Sequence, residues 1–499
     1  MNALLVSLVF SAAAAPPVAT LALPASTHAT ITVSLQFNSG GVDDPEGQAG
    51  VTDVAAALMV GGGTQALSAE QMLSAFFPMA TGVDLEVDRE LTTFTATFHK
   101  DHLEAMTKLL TDIVLHPRWD AHEFDRIRES AVSDVEKHLR QTDDENLGKA
   151  ALAELLYRGT AYGRIEDGHV SDLKKLTLAQ VKSQAQRVFT RSRLVIGVAG
   201  GYPKALPATL QKILAALPEG ARAVAPTIVV KGPPPRVLIV EKETAATAIS
   251  IGMPWALSRR DPDFIPMSIA RSAFGEHRQM NGRLMNRLRE QRGLNYGDYA
   301  YLENFHQAGG DAAMARTGRA RHQQELTMWL RPVQNDNRVF ALRAALFELQ
   351  RTLADEPFSS EEVERTKSFL AGYILLFAQT DARKLGYALD DRFLGVHDFL
   401  GTWRSKLASV TPEQVNAAWR KWIDPARLQI VMVTSGGAAL KAQLLAGGPS
   451  PMHYPKDAQG KTQSKPAPLL ATDTQVEKFS LGVSKDADVE VVPTAQLFE

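Results

Sequence analysis

An internal repeat is the feature of this sequence that most constrains its fold. Residues 177–181 read T-L-A-Q-V, and 234 residues later residues 411–415 read T-P-E-Q-V. Each threonine is a good helix N-cap and opens an amphipathic pattern. An apolar strand pattern begins thirteen residues after each valine, at Leu194 and at Leu428. Because helix and strand keep the same offset without a gap, the chain is predicted to contain two related halves.

The beginnings of the two halves match as well. Residues 32–37 and 248–253 alternate in the manner of short strands, and each leads through an Asp-Pro loop into a helix. Further helix openings follow Pro117 and Pro357. A period of about 200 residues is too long for a solenoid. We therefore predict an α+β fold built from two homologous halves.

The halves are predicted at residues 16–225 and 236–447. Between them, the run G-P-P-P at residues 232–235 interrupts the periodicity. Residues 448–499 are rich in Pro, Lys, Gln and Ser, with strand-like pieces at 479–483 and 489–492. They are predicted to form a C-terminal arm that packs back on the body.

The N-terminal segment has two features of a secretory signal. Residues 3–15 read A-L-L-V-S-L-V-F-S-A-A-A-A, an apolar run that ends in small residues suited to cleavage, although the usual basic residues before it are missing. The alternatives are a frayed apolar terminus or a first strand. Residues 1–15 are interpreted as a possible signal peptide, which favours a periplasmic or secreted protein over a cytoplasmic one.

Composition excludes several classes of function. The net charge is −2, so no broad electrostatic field favours nucleic acid or an anionic membrane surface. Cysteine is absent, which excludes disulfides, thiolate zinc sites and a cysteine nucleophile. No later stretch is long and apolar enough to be predicted as a membrane span. We expect a protein that binds no nucleic acid and does not span a membrane.

The first helix of the first half carries a family resemblance. It reads G-Q-A-G-V-T-D-V-A-A-A-L-M-V from residue 47, followed by G-G-G-T. This frame resembles the inverted zincins, the pitrilysin/insulinase zinc peptidases, whose helix carries H-x-x-E-H. In that motif two histidines on one helical face hold Zn²⁺, and the glutamate is the general base. The resemblance implies halves that are each a mostly antiparallel sheet covered by helices.

The residues of the zinc motif are all replaced. The first histidine falls on Asp53, the base on Ala56 and the second histidine on Ala57, while the third ligand, a glutamate on a later helix, falls on Asp134. Two carboxylates could at best hold a hard cation weakly, and a plain packing helix is the favoured alternative. His99 and His102 lack a third ligand and are interpreted as residues of a capping turn. We expect no metal or other cofactor in this chain.

The second half keeps the most family-specific segment. Residues 283–296 read R-L-M-N-R-L-R-E-Q-R-G-L-N-Y and resemble the R-L-x-x-x-L-R-E-x-R-G-L-x-Y signature of the family's second domain. The resemblance implies that Arg289 and Tyr296 contact a peptide substrate. Arginine can donate to peptide carbonyls, and a tyrosine hydroxyl can donate to a developing oxyanion. The alternative is a solvated basic helical face followed by an ordinary strand tyrosine.

A second candidate surface follows the zinc-motif helix. Residues 83–88 alternate polar and apolar and precede a second strand at 92–98, which predicts a hairpin with one polar face. In the family, an edge strand in this region binds peptide by strand addition. A solvated hairpin is the alternative. The substrate-binding residues predicted here are Val83, Asp84, Leu85 and Glu86.

The resemblance implies a specific kind of subunit. Some family members are heterodimers in which one subunit carries the zinc helix and the other has lost it but keeps the Arg/Tyr pair. The sequence therefore predicts a non-catalytic, peptide-binding subunit, inactive alone, whose partner is a zinc-bearing homologous peptidase. The alternative is a non-proteolytic scaffold or chaperone-like protein, as in respiratory-complex core subunits of this fold. The substrate, its cleavage preference and the partner's identity are left open.

Overall fold

A computed structural model describes residues 18–230, 235–305, 317–455 and 464–499. The possible signal peptide at residues 1–15 lies outside these ranges, as do residues 231–234 of the join between the halves. Among the described helices, none combines the length and the apolar character needed to cross a bilayer.

The first half is built on a five-stranded sheet in the order β1-β5-β2-β4-β3. The central strands are antiparallel, and β1 pairs with β5 in parallel. The burial of β2 is continuous after its first residue, because both faces of the sheet are covered. The strands are β1 (Ala19–Ala22), β2 (Thr30–Phe37), β3 (Asp84–Val87), β4 (Thr92–His99) and β5 (Leu194–Gly200).

The second half repeats this topology. Its sheet has the order β11-β6-β10-β7-β9-β8, in which β6 pairs with β10 in parallel and β7 lies antiparallel to both β10 and β9. The additional strand β11 comes from the C-terminal segment and pairs with β6. The strands are β6 (Val237–Glu241), β7 (Ala246–Trp255), β8 (Asp298–Tyr301), β9 (Gln324–Gln334), β10 (Gln429–Thr434) and β11 (Val489–Pro493).

Helices cover the sheets, and the two that the repeat predicts begin at the expected caps. Thr177 and Thr411 each accept a hydrogen bond from the backbone of the third helical residue. The helices of the first half are α1 (Val51–Gly61), α2 (Ala69–Phe76), α3 (Leu103–Leu115), α4 (Ala121–Ser133), α5 (Asp144–Leu156), α6 (Val170–Lys175), α7 (Leu178–Val188) and α8 (Leu206–Leu214). Those that follow are α9 (Phe264–Gly275), α10 (Arg338–Leu353), α11 (Ser360–Phe377), α12 (Asp381–Leu394), α13 (Phe399–Ser409), α14 (Pro412–Trp422), α15 (Gly437–Ala446) and α16 (Ala467–Val476).

The two halves exchange one helix each. Helix α5 packs on β7 and β10 of the second sheet, where a Cβ built on Gly148 would lie 3.2 Å from the Ser250 hydroxyl and 3.4 Å from Val433. Helix α12 packs on β5 of the first sheet, and its Leu385 and Leu389 are buried there. Each half therefore supplies the second cover of the other half's sheet.

A buried network of ion pairs also joins the halves. Arg321 of the second half donates to Asp88 at 3.0 Å and to Glu166 at 2.8 Å, and Arg89 lies 3.3 Å from Glu166. Asp88, Arg89 and Arg321 are all less than 5% exposed. The β3–β4 hairpin forms as predicted. The alternative of a solvated hairpin is wrong at the turn between the strands, because the second half covers Asp88 and Arg89.

The C-terminal segment crosses from the second half to the first. After β11, Leu497 and Phe498 enter the hydrophobic core of the first half. The backbone N–H of Val170 donates to the Phe498 carbonyl at 2.8 Å, and Arg140 pairs with Glu499 at 3.1 Å. Residues 479–483 do not form the expected strand; they follow α16 as an irregular segment.

The fold class is confirmed as mixed α/β with two related sheets covered by helices. The repeat could predict this class because the offset of helix and strand fixes matching elements in the two halves. The repeat could not predict that each half covers the other half's sheet. A helix that packs on the other half's sheet occupies the same place in the order of elements along the chain as one that packs on its own.

Candidate functional site

Helix α1 carries the positions of the family's zinc motif, and its start is fixed by a buried carboxyl group. Asp44 accepts hydrogen bonds from the backbone N–H groups of Gly50 at 2.7 Å and Thr52 at 3.1 Å. Acceptors at a helix start satisfy donors that have no partner within the helix. Gln184 of α7 donates to the Thr52 hydroxyl at 2.7 Å and ties the start of α1 to the body.

Two glycines bring an acidic loop against the start of α1. Gly50 and Gly168 both have φ of +90°, and a Cβ built on Gly50 would lie 2.8 Å from the Cα of Gly168. Only glycine allows this approach without strain. The loop that ends at Gly168 carries Glu166 and Asp167, whose charges act on Asp53.

The replaced metal positions form an acidic site. Asp53 is half-buried, and burial together with the charges of Asp167, Asp44, Glu166 and Asp134 raises its pKa to about 8. Like charges nearby favour the protonated form of a carboxyl group. At neutral pH Asp53 is therefore mostly a neutral carboxylic acid.

The residues at the zinc-motif positions do not fit a zinc ion. Ala56 is fully buried and Ala57 half-buried, and neither has a donor atom. Asp134 is 57% exposed and begins a π-helical segment, Asp134–Thr142, in which His138 lies 3.7 Å away. Zinc sites use three or more ligands, usually nitrogen or sulfur. Among the described residues, no group of three His, Asp or Glu side chains is arranged to hold a metal.

Three of the four arginines in the second-half signature are committed to internal partners. Arg283 pairs with Glu362 at 2.7 Å, Arg287 with Glu356 at 2.6 Å and Arg292 with Asp473 at 2.8 Å. Arg283 and Arg292 are buried. The alternative of a solvated basic face, which applied to Arg283, Arg287 and Arg289, is therefore wrong for Arg283 and Arg287.

Arg289 and Tyr296 lie together on the surface. The guanidinium carbon of Arg289 is 5.9 Å from the centre of the Tyr296 ring, and the Tyr296 side chain is 78% exposed. The other neighbours of Arg289 are the sulfur atoms of Met285 at 3.8 Å and Met280 at 4.0 Å, which are weak acceptors, and the carboxylate of the adjacent Glu290, which lies 3.4 Å from the Arg289 Nε. Both side chains keep their polar groups available for a ligand.

The backbone that carries Tyr296 is held firmly on both sides. Asn295 donates to Asp298 at 2.6 Å and to the carbonyl of Arg331 at 3.1 Å, and the N–H of Arg331 donates to the carbonyl of Gly297 at 3.1 Å. Asp298 is fully buried, and burial raises its pKa to about 7. Tyr296 thus projects from a fixed support.

The predicted peptide-binding segment lies at a sheet edge. Within the described residues, β3 pairs with β4 alone. Val83 precedes the strand and is half-buried, Asp84 is exposed, and Leu85 is half-buried. Glu86 pairs with Arg319 of the second half. An exposed edge offers unpaired backbone groups for strand addition.

A cavity of about 520 Å³ lies between the halves beside the acidic site. Asp134, Glu166 and Asp167 line one side, and Arg319 and Trp329 of the second half line the other. Among the described residues that line it, neither Arg289 nor Tyr296 is present. The charge of Asp134 acts on Asp53, whereas the Arg/Tyr pair lies outside this cavity.

Sequence reasoning missed the acidic loop and the charged turn. Glu166 and Asp167 precede a glycine in E-D-G, and Asp88, Arg89 and Glu90 form the run D-R-E. Both runs are typical of solvated turns. The only local indication was a run of charged residues between apolar segments. Such a run does not show that a distant part of the chain will cover and pair these charges.

Comparisons with known proteins agree with this architecture. Residues 20–165 match the family profile described as "Insulinase (Peptidase family M16)", and residues 175–370 match "Peptidase M16 inactive domain". The crystal structure of a peptidase M16 inactive domain from Pseudomonas fluorescens superposes with a TM-score of 0.73 at 21% identity, over 83% of this chain and 95% of that one.

Two bacterial relatives are similar over most of their length. "Uncharacterized zinc protease YmxG" of Bacillus subtilis is 22% identical over 367 residues, 72% of this chain and 82% of that protein. "Non-peptidase homolog YmxG" of Helicobacter pylori is 20% identical over 388 residues, 77% of this chain and 84% of that protein. The chain therefore belongs to the pitrilysin/insulinase family of zinc peptidases, as an inactive member that lacks the zinc motif.

Proposed function

We propose that this chain is the non-catalytic, substrate-binding subunit of a heterodimeric zinc peptidase. In this proposal the partner is a zinc-bearing homologue, and the pair hydrolyses peptides. Arg289 and Tyr296 support the proposal most directly, because a half-buried arginine lies beside an exposed tyrosine at the surface while the other signature arginines are bound internally. A pair that lies outside its own chain's cavity is available to a second chain.

Each proposed residue has a chemical role that its surroundings allow. The Arg289 guanidinium donates to peptide carbonyls or to a carboxylate of the substrate. The Tyr296 hydroxyl donates to the oxyanion that forms when water attacks the peptide carbonyl, and such a donor lowers the barrier by about 3 kcal/mol. The edge of β3, with Asp84 exposed, adds backbone hydrogen bonds along an extended peptide.

Co-purification tests the partner. The chain, expressed with the products of neighbouring genes, is expected to retain a homologue that has an intact H-x-x-E-H helix. Alone, the chain is expected to cleave no peptide. Chelator-sensitive cleavage by the single purified chain would contradict the proposal.

Tyr296→Phe tests the role of the hydroxyl. In the reconstituted pair this change is expected to lower kcat about 10²-fold with little change in KM, because the hydroxyl acts on the transition state. Tyr202→Phe is the matched control, since the Tyr202 hydroxyl binds the Leu23 carbonyl within the first half. Steady-state kinetics on a fluorogenic peptide measure both variants.

A second candidate function is a non-proteolytic scaffold or chaperone-like peptide-binding protein of the same fold. It is supported by the Helicobacter pylori relative, whose name describes it as a non-peptidase homologue. Full kcat of the Tyr296→Phe variant in the reconstituted pair would favour this function.

The apolar segment at residues 3–15 supports a periplasmic or secreted location, which N-terminal sequencing of the protein from its native cells tests.

A further inference from the structure

A second, larger cavity lies where three parts of the chain meet. It has a volume of about 700 Å³ and is called the junction cavity here. Its walls come from the first sheet, from the segment that joins the halves and from the end of α12, with Gln36, Arg222 and Arg392 as one residue from each. Cavities of about 300–1,000 Å³ are typical of small-molecule sites.

Among the described residues, the carboxylates of the junction cavity are all paired with basic side chains. Each of the three acidic side chains that line it has a basic partner that lines it too. These pairs are Asp43 with Arg193 at 2.9 Å, Glu90 with His322 at 2.6 Å and Glu219 with Arg191 at 3.6 Å. The acidic groups of the cavity therefore have little attraction left for a cationic ligand.

Two arginines in the same cavity have no side-chain partner in the described part of the chain. Both residues, Arg222 and Arg392, are exposed, and neither guanidinium has a hydrogen bond or an ion pair among the described residues. An unpaired guanidinium offers up to five donors in a fixed plane, a geometry that suits carboxylate and phosphate groups. The free charge of the cavity is therefore positive.

A buried amide adds an independent observation. Gln36 in β2 lines the cavity and is only 1% exposed, and its Nε2 has no hydrogen-bond partner among the residues that the structure describes. Most buried polar groups in native proteins are hydrogen-bonded. Beside it, Phe393 and Val195 give the cavity an apolar wall that limits the size and shape of an occupant.

We propose that the junction cavity binds a small molecule with two or more anionic groups, phosphate or carboxylate, through Arg222, Arg392 and the Gln36 amide. This site is separate from the Arg289/Tyr296 pair, and the inference does not depend on the proposed peptidase role. A ligand here contacts both halves and the segment between them, so its binding stabilises their arrangement.

Calorimetric titration of the full chain tests the site. The probes are inorganic pyrophosphate and citrate, each at matched ionic strength. At least one is expected to bind with one-to-one stoichiometry and to raise the melting temperature. The tighter of the two identifies phosphate or carboxylate as the preferred group. Binding of neither probe would overturn the proposal.

Two charge-matched double variants locate the binding. R222Q/R392Q removes the free cations of the cavity and is expected to weaken binding about tenfold or more. R404Q/R420Q removes two exposed arginines from α13 and α14 and is expected to leave binding unchanged. Circular dichroism confirms that both variants fold. Equal binding by R222Q/R392Q and the unmodified chain, or equal loss in both variants, would overturn the site.

Discussion

Asp53 lies at a position where the family holds a metal ligand, and its surroundings now favour a proton. Burial and four nearby carboxyl groups raise its pKa from 3.8 to about 8. In the unfolded chain the Asp53 carboxyl group ionises near its ordinary pKa, so the folded state keeps the proton over a wider range of pH. The free energy of unfolding therefore falls as pH rises from about 4 to about 8.

Replacing Asp53 with asparagine should remove part of this pH dependence. An amide stays neutral at every pH, so Asp53→Asn is expected to match the unmodified chain near pH 4.5 and to be more stable near pH 8.5, by on the order of 1 kcal/mol or more. Urea unfolding at several pH values measures this. Asp355→Asn, at an exposed position, is the control and should show no such trend. A constant difference between Asp53→Asn and the unmodified chain across the pH range would contradict the explanation.

Arg321 of the second half is buried against two carboxylates of the first half. It is 3% exposed and neutralises Asp88 and Glu166, both on the first half. Removing one member of a buried ion pair leaves an uncompensated charge. Arg321→Met is therefore expected to lower the free energy of unfolding by about 3–5 kcal/mol.

The exposed pair Arg158–Glu490, at 2.7 Å, provides the comparison. Both side chains are more than a third exposed, so solvent screens the pair. Arg158→Met is expected to cost about 1 kcal/mol or less. Denaturant titration measures the free energy of unfolding of both variants. Similar losses from the two changes would show that the buried network stabilises the chain no more than the exposed pair does.

At the scale of elements, the exchange of α5 and α12 depends on close packing between a helix and a foreign sheet. A Cβ on Gly148 of α5 would meet Ser250 at 3.2 Å and Val433 at 3.4 Å. A larger side chain there must push the helix from the second sheet. A Cβ on Gly372 of α11, by contrast, would point into open space.

Leucine at these two helix glycines should therefore act in opposite directions. Gly148→Leu is expected to destabilise the chain by about 1–3 kcal/mol through overpacking. Gly372→Leu is expected to be neutral or to stabilise by up to about 1 kcal/mol, because leucine favours helix over glycine. Thermal unfolding of the two variants distinguishes packing from helix propensity. A destabilised Gly372→Leu variant would contradict this account.

At the scale of the molecule, the two halves pack against each other and cover each other's sheets. Each lacks a cover for one sheet face without the other, and Phe498 from the C-terminal segment is buried in the first-half core at 2% exposure. Exposing such faces leaves large apolar surfaces in water, which promotes association.

Separate expression of the halves should show this dependence. Residues 235–499 alone are expected to aggregate, because β7 and β10 lose α5. Co-expression with residues 18–230 is expected to give a soluble complex of the two pieces. Size-exclusion chromatography measures both outcomes. A monomeric, folded 235–499 fragment would show that the exchange contributes little to stability.

The class of fold and the loss of the zinc motif can both be read from local patterns in the chain. The repeat of helix and strand predicts two α+β halves because local patterns fix each element, and the caps at Thr177 and Thr411 are local chemistry. The absence of imidazole at Asp53, Ala56 and Ala57 is readable directly, since a ligand is a matter of residue type.

Tertiary structure alone decided which charged residues are internal and which are available. Arg283 and Arg289 lie six residues apart in one segment, yet Arg283 is buried against Glu362 while Arg289 lies beside the exposed Tyr296. The helix exchange and the junction cavity depend in the same way on contacts between positions far apart in the chain. Local sequence patterns do not encode these contacts, because burial depends on which distant surface covers a residue.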